Sequence, residues 1–212
     1  MSSERPVRYD LSPLVTPQLG VWPGDTMATR EVRADLARGD NLTLSTLRTT
    51  VHVGAHADAP SHTESGTATI DEVDLDRYVG RCQVVRTRVE RGGEIGIDDF
   101  SNPLTCPRVL LATSTFPDPE RFTTDFAVPS LALVDALADA GVVLLGTDAP
   151  SVDHFASKDL VTHGRLAHHG MAILEGLVLD DVPEGEYELL ALPLRLAGFD
   201  ASPVRAVLRD PG

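Results

Sequence analysis

No stretch of this sequence approaches the roughly 20 consecutive apolar residues that a helix needs to cross a bilayer. A membrane-spanning protein is therefore not expected. The opening residues, MSSERPVRYDLSP, lack the apolar core of a secretory signal, so a cytoplasmic location is the expectation. Basic residues are few: 18 Lys and Arg against 32 Asp and Glu, a formal charge of −14. That balance disfavours a nucleic-acid partner, because phosphate contacts need a basic face. It disfavours an anionic membrane surface for the same reason. Cysteine is limited to Cys82 and Cys106. Two thiols cannot staple a scaffold and match no zinc-ribbon spacing, so both are expected to be reduced and buried. Internal repeats, low-complexity tracts and linkers are missing too. The 212 residues thus read as a single domain spanning 1–212.

What is present is concentrated between His52 and His62, in HVGAHADAPSH. Three imidazoles and one carboxylate (His52, His56, Asp58 and His62) fall within eleven residues. Imidazole and carboxylate are the ligands that suit zinc and similar divalent ions. A lone histidine near a strand end is ordinarily a solvated or satisfied residue. Three with an interleaved Asp, in a chain of seven histidines, are not explained that way. All four positions share one parity, so a strand would point them to one side. A regular strand would nevertheless hold His52 and His56 roughly 13 Å apart at about 3.3 Å per residue, too far for one ion. Gly54 permits a bend and Pro60 ends regular pairing. The segment is therefore expected to be a strand running into a curled loop.

Around this segment the chain reads as mixed α and β. Residues 1–27 look irregular, since Pro6, Pro13, Pro17 and Pro23 forbid a long helix. They end in the turn Val21-Trp22-Pro23-Gly24-Asp25 with the chain's single tryptophan. Trp22 fits either a core plug or a partly exposed ring lining a pocket. Strands are expected over 28–36 and 42–53, joined at Gly39-Asp40-Asn41, and again over 81–89 and 108–112. A short helical turn is expected near 67–78 with Gly80 as its stop, and another over 97–100. Ser130 reads as the N-cap of a helix over 131–140, closed by Gly141, whose apolar face is Leu131, Val134, Leu137 and Ala138. With a strand over 142–145 this makes a strand–helix–strand unit. A helical piece over 165–168 precedes an apolar strand, Met171 to Leu174, that ends in Glu175. A carboxylate there would ordinarily turn to solvent; buried, it needs a cation or a proton. Two more strands are expected, over 187–193 and 204–208.

The string His52-x-Gly54-x-His56-x-Asp58-x-Pro60-x-His62 resembles the signature of the metal-dependent cyclase family. Further strings resemble that family's kynurenine formamidase (arylformamidase) branch, in order and over essentially the whole chain. They are Val21 to Asp25, Gly146 to Asp153, His163 with Met171 to Gly176, and the tail from Tyr187 to Ala206. The resemblance implies an α+β fold of the swivelling β/β/α type, in which a mixed sheet carries a binuclear metal site. It implies that His52, His56 and Asp58 hold one zinc. Asp58 and Glu175 would bridge to a second, completed by His163. It implies that His62 is the proton donor/acceptor and that Trp22 contacts the substrate's ring. His168 and His169 compete with His163 as ligand on residue type, and the spacing to Glu175 favours His163; His154 has no assigned role. The implied reaction is hydrolysis of N-formyl-L-kynurenine to L-kynurenine and formate in tryptophan degradation, with metal-activated water attacking the formyl carbon. The implied assembly is a homodimer or higher homo-oligomer. Rival readings are an isatin hydrolase-like cyclic amidase and a non-catalytic metal- or ligand-binding member of the family.

Overall fold

The computed structural model describes residues 6–212. In chain order its strands are β1 (Val7–Asp10), β2 (Thr29–Ala34), β3 (Leu44–Arg48), β4 (His56–Asp58), β5 (Val79–Arg86), β6 (Glu94–Ile95), β7 (Arg108–Ala112) and β8 (Val128–Pro129). There follow helix α1 (Leu131–Asp139), β9 (Leu144–Thr147), helix α2 (Val161–His168), β10 (Ala172–Glu175), β11 (Gly185–Leu190), β12 (Ala201–Pro203) and β13 (Val207–Arg209). This is an α+β fold around a nine-stranded mixed sheet ordered β1-β13-β11-β5-β7-β9-β10-β4-β12. Its centre, β5-β7-β9-β10, is parallel, and both flanks are antiparallel. The parallel strands are the apolar runs of the sequence, as expected for strands covered on both faces.

Strand parity divides the core in two. Val85, Val109, Leu111, Leu145 and Ile173 face the helices, where Leu133, Val134, Leu137 and Leu166 meet them. Cys82, Val84, Leu110, Leu144 and Leu174 face the opposite side with Tyr78, Leu189 and Leu208. The expected β7–α1–β9 unit is present, with β7 and β9 parallel. Ser130 caps α1 by accepting from the Leu133 N–H at 3.1 Å. Both cysteines are free and buried, as their number suggested.

Several expectations are corrected. The 1–27 stretch is not wholly irregular: β1 fits between Pro6 and Pro13 as an edge strand, which prolines outside it do not forbid. The strand expected over 42–53 stops at Arg48, and residues 51–55 bend. Gly80 lies inside β5 rather than ending the preceding turn. Its φ is 125°, and an added Cβ would sit 3.0 Å from the Arg108 guanidinium. In α1 Leu133 is buried with the expected Val134 and Leu137, while Leu131 is exposed; a first-turn side chain leans back past the start of the helix. Helix α2 begins at Val161, four residues earlier than expected, and so includes His163. The last strand covers Val207–Arg209 instead of 204–208, and the short β12 went unrecognised.

Candidate metal centre

Pairing register explains why the polar groups meet. Strand β4 runs antiparallel to β10 with His56 opposite Glu175 and Asp58 opposite Ile173. Directly opposed residues share a face, and Ile173 packs among the residues under the helices. His56, Asp58 and Glu175 therefore all lie on the helix-covered face, where α2 adds His163. The fourth ring arrives through the bend. Gly54 takes a φ of 59°, and the His52 and His56 ring centroids come to 5.0 Å rather than a strand's separation. Gly176 (φ 64°) packs so closely on this bend that a Cβ there would run into the Gly54 carbonyl.

The hydrogen bonds fix which ring nitrogens are bare. His56 Nδ1 lies 2.9 Å from the Gly54 carbonyl, which can only accept, so Nδ1 carries the hydrogen. The neutral ring then presents a lone pair at Nε2, and that atom faces Glu175 Oε2 at 3.3 Å and Asp58 Oδ1 at 3.5 Å. Likewise His163 Nδ1 donates to Asp153 Oδ2 at 2.7 Å. Its Nε2 faces Asp58 Oδ2 and Glu175 Oε1, each at 3.3 Å. His52 Nδ1 lies 3.1 Å from Asp58 Oδ1. Acceptors thus converge on acceptors. His56 Nε2 and Asp58 Oδ1 are buried without a hydrogen-bond partner, a costly condition unless a cation or added protons sit among them. Each carboxylate also divides its oxygens, one towards the His56 side and one towards His163. The donor set suits divalent ions. One ligand atom each from His52, His56 and Asp58 lie within 4.8 Å of one another, as do one each from Asp58, His62 and His163.

The electrostatics agree. Burial pushes the imidazoles down, but the carboxylates outweigh it: His52 is held up at about 9 by Asp58 and Asp200. His163 is raised by Asp153, Asp58 and Glu175, and His56 by Glu175 and Asp58. Asp58, against burial, is held well below the usual carboxylate range by His163 and His52. The pocket attracts positive charge.

His62 stands at the rim of this cluster, in the turn Pro60–His62. Its Nδ1 is 3.2 Å from Asp200 Oδ2, the same oxygen that takes His52 Nε2 at 2.9 Å. The residues singled out in the sequence (His52, His56, Asp58, His62, His163 and Glu175) are all brought together. His154, His168 and His169 are not: His154 approaches Glu94, His169 pairs with Asp135, and His168 packs on His169. Two residues escaped the sequence reading. Asp200 lies just before the unrecognised β12. Asp153 was part of a matching string without a role; besides His163 Nδ1 it accepts the Thr162 and His163 N–H groups, capping α2 from outside.

A cavity of about 570 Å³ opens onto the cluster, lined by Trp22, Phe116, Phe122, Asp148 and Lys158 as well as the histidines. Half-buried Trp22 lies against Phe155 (4.9 Å between centroids) and Phe122 (5.5 Å). Among the two readings of this ring, pocket wall is the one with a direct consequence. Trp22→Ala should raise KM while shifting Tm little, compared with the ~3–5 kcal/mol lost when a true core aromatic is truncated. Thermal melts and steady-state kinetics on the same preparation check this; a large Tm drop with normal kinetics would make Trp22 a core plug. Beside it, Asp148 accepts from the N–H groups of Thr113 and Ser114 and the Thr113 hydroxyl. These bonds tie the end of β7 to the end of β9, although burial pushes the carboxyl up to about 6.

Among the described residues no helix is long and apolar enough to cross a membrane. Residues 9–154 match the Cyclase family model, described as "Putative cyclase". The chain is 44% identical over 205 residues to a kynurenine formamidase from Polaromonas naphthalenivorans, covering 95% of this chain and 90% of that protein. A solved structure described as a potential metal-dependent hydrolase with cyclase activity superposes with a TM-score of 0.83 at 30% identity. The match covers 99% of this chain and 100% of that one. Isatin hydrolase A from Labrenzia aggregata, solved with benzyl benzoate, shares the fold (TM-score 0.77, 20% identity, 97% and 94% covered).

Proposed function

The chain belongs to the cyclase family and is a hydrolytic enzyme, and from that premise we propose that its substrate is N-formyl-L-kynurenine, cleaved to L-kynurenine and formate in tryptophan degradation. The observation that carries the reading is the buried pair Asp58 and Glu175, each facing imidazoles on both sides. Glu175 of this pair, with His52, His56 and His163, lines a cavity walled by Trp22. In this reading His52, His56, Asp58, Glu175 and His163 would hold two divalent ions, with zinc the ion that best suits the donor set. Such ions supply Lewis acidity and a water whose pKa falls to roughly 7.

The chain's own groups do the rest. Asp58 and Glu175, both buried, would offset the ionic charge. Asp153 holds the His163 ring in one tautomer. Asp200 accepts from His62 Nδ1, which leaves Nε2 to handle a proton. The departing group is an arylamine, a poor leaving group as its anion. Protonation of its nitrogen by His62 as the carbon–nitrogen bond breaks is a task suited to imidazole. Trp22 packs against the substrate's ring. Location in the cytoplasm and a homodimeric or larger assembly belong to the same proposal. The assembly is supported by Leu36, Leu42, Leu44 and Leu47, apolar and exposed on and around the β2–β3 hairpin, since such clusters mark contact surfaces.

Purified protein refilled with zinc should release formate from N-formyl-L-kynurenine, with kcat/KM above that for isatin. Faster opening of isatin would transfer the reading to cyclic amides, and no turnover of either would end it.

A further inference from the structure

The cavity over the metal centre is acidic. Asp25, Asp148, Glu175, Asp180 and Asp200 all line it, and no arginine does. Its one cationic side chain apart from histidine is Lys158, which is also the only lysine in the sequence. Lys158 is exposed, and among the described residues it makes no hydrogen bond or ion pair. An ammonium at the mouth of a negatively charged cavity, left unpaired by the nearby carboxylates, is free to take a ligand's anion.

Its position is built. Lys158 belongs to the loop from Phe155 to Leu160, whose Phe155 ring packs on Trp22. The loop turns on a Ser157 N–H to His154 carbonyl bond at 2.8 Å, and the Ser157 hydroxyl accepts the Leu160 N–H at 3.2 Å. It ends with Leu160 at φ 44°, a left-handed conformation rare for leucine, of the kind that clusters at ligand clamps. From there α2 carries His163 into the centre. One loop and its helix thus supply, in sequence, the ring that backs Trp22, the cation and the imidazole.

Resting on the formamidase reading, we propose that Lys158 recognises the α-carboxylate of the substrate's amino-acid arm, and so selects acids over their decarboxylated counterparts. The arm would project from the ring that Trp22 and Phe122, both lining the cavity, receive. Its carboxylate would be repelled by Asp25, Asp148, Asp180 and Asp200, the lining acids that hold no ion in that reading, and Lys158 reverses that repulsion at the mouth, where the charge stays partly hydrated.

The test compares Lys158→Met with Lys158→Arg. Calorimetric titration with L-kynurenine and with kynuramine, which lacks the carboxylate, reads binding without turnover. KM for N-formyl-L-kynurenine and its decarboxylated analogue reads the same preference in catalysis. Lys158→Met should reduce the preference for the acid about tenfold, the low end for a hydrogen bond to a charged group, chiefly through KM, and Lys158→Arg should restore most of it. Equal weakening of both ligands, or no change in the preference, overturns the proposal. Failure to hydrolyse N-formyl-L-kynurenine, with Lys158-dependent binding of L-kynurenine intact, would instead sink the reaction and leave the recognition standing.

Discussion

Asp58→Asn should abolish most metal binding and lower kcat/KM by about 10³-fold or more, the equivalent of losing several kcal/mol of Lewis-acid stabilisation. The reason lies in the donor pattern. Asp58 is the one carboxylate that faces His52, His56 and His163. As a carboxylate it offers only acceptors to rings that already present lone pairs, so the cluster demands positive charge. An amide of the same shape offers an NH₂ group, which can donate to a bare imidazole nitrogen and satisfy the cluster without an ion. The variant should therefore fold, and metal analysis of zinc-refilled protein should fall from near two ions per chain towards none. Undiminished metal with activity within tenfold of the parent would remove Asp58 from the ligand set.

The chelated protein should show a pH-dependent stability of its own. Without metal, protons hold the imidazoles. His52 has a folded value of about 9 against an ordinary 6.5. Its contribution to stability is complete below 6.5 and is lost as pH rises through 9. The Tm of metal-free protein should accordingly decline between these limits. Metal-loaded protein should not follow it, because the ions have already displaced those protons. Parallel Tm curves for the two forms would mean that the ions do not occupy this cluster.

How much of this was legible in the sequence depended on how local the cause was. The run Arg108 to Ala112 announced a buried strand because both its faces are covered. Ser130 and Gly141 announced α1 because capping is a matter of a few adjacent residues. His52, His56, Asp58 and His62 were conspicuous because one bend at Gly54 gathers them. Glu175 was legible only as an anomaly, a carboxylate closing an apolar run. Its partner His56 is 119 positions away, and only the β4–β10 register brings them together. Asp200 had no local mark at all. It reaches His52 and His62 because β12, three residues long and ending in proline, adds to the open edge of β4. The ring cluster around Trp22 was similarly hidden, since Phe122, Phe126 and Phe155 approach it from loops whose paths no periodicity encodes.

His62→Ala should separate proton transfer from metal binding. The ring lies 4.4 Å from His52 and 5.6 Å from His163 between centroids, near enough to serve either as a ligand or as an acid. Its hydrogen bond decides the expectation. Nδ1 is engaged with Asp200, which also holds His52, so the ring is oriented by a carboxylate outside the proposed ligand set. His62 is also less buried than His56 and His163, as suits a residue that exchanges protons with solvent between turnovers. Both ions should remain in His62→Ala, while kcat falls by ~10²–10⁴-fold, the usual contribution of a positioned general acid. The deficit should narrow for formanilides bearing electron-withdrawing substituents, whose amines depart with less help. Asp200→Asn should produce a milder form of the same defect, with metal retained, because it loosens the ring without removing it. Loss of one ion from His62→Ala would make His62 a ligand instead, and the proton for the departing amine would then have to come from another group in the cavity.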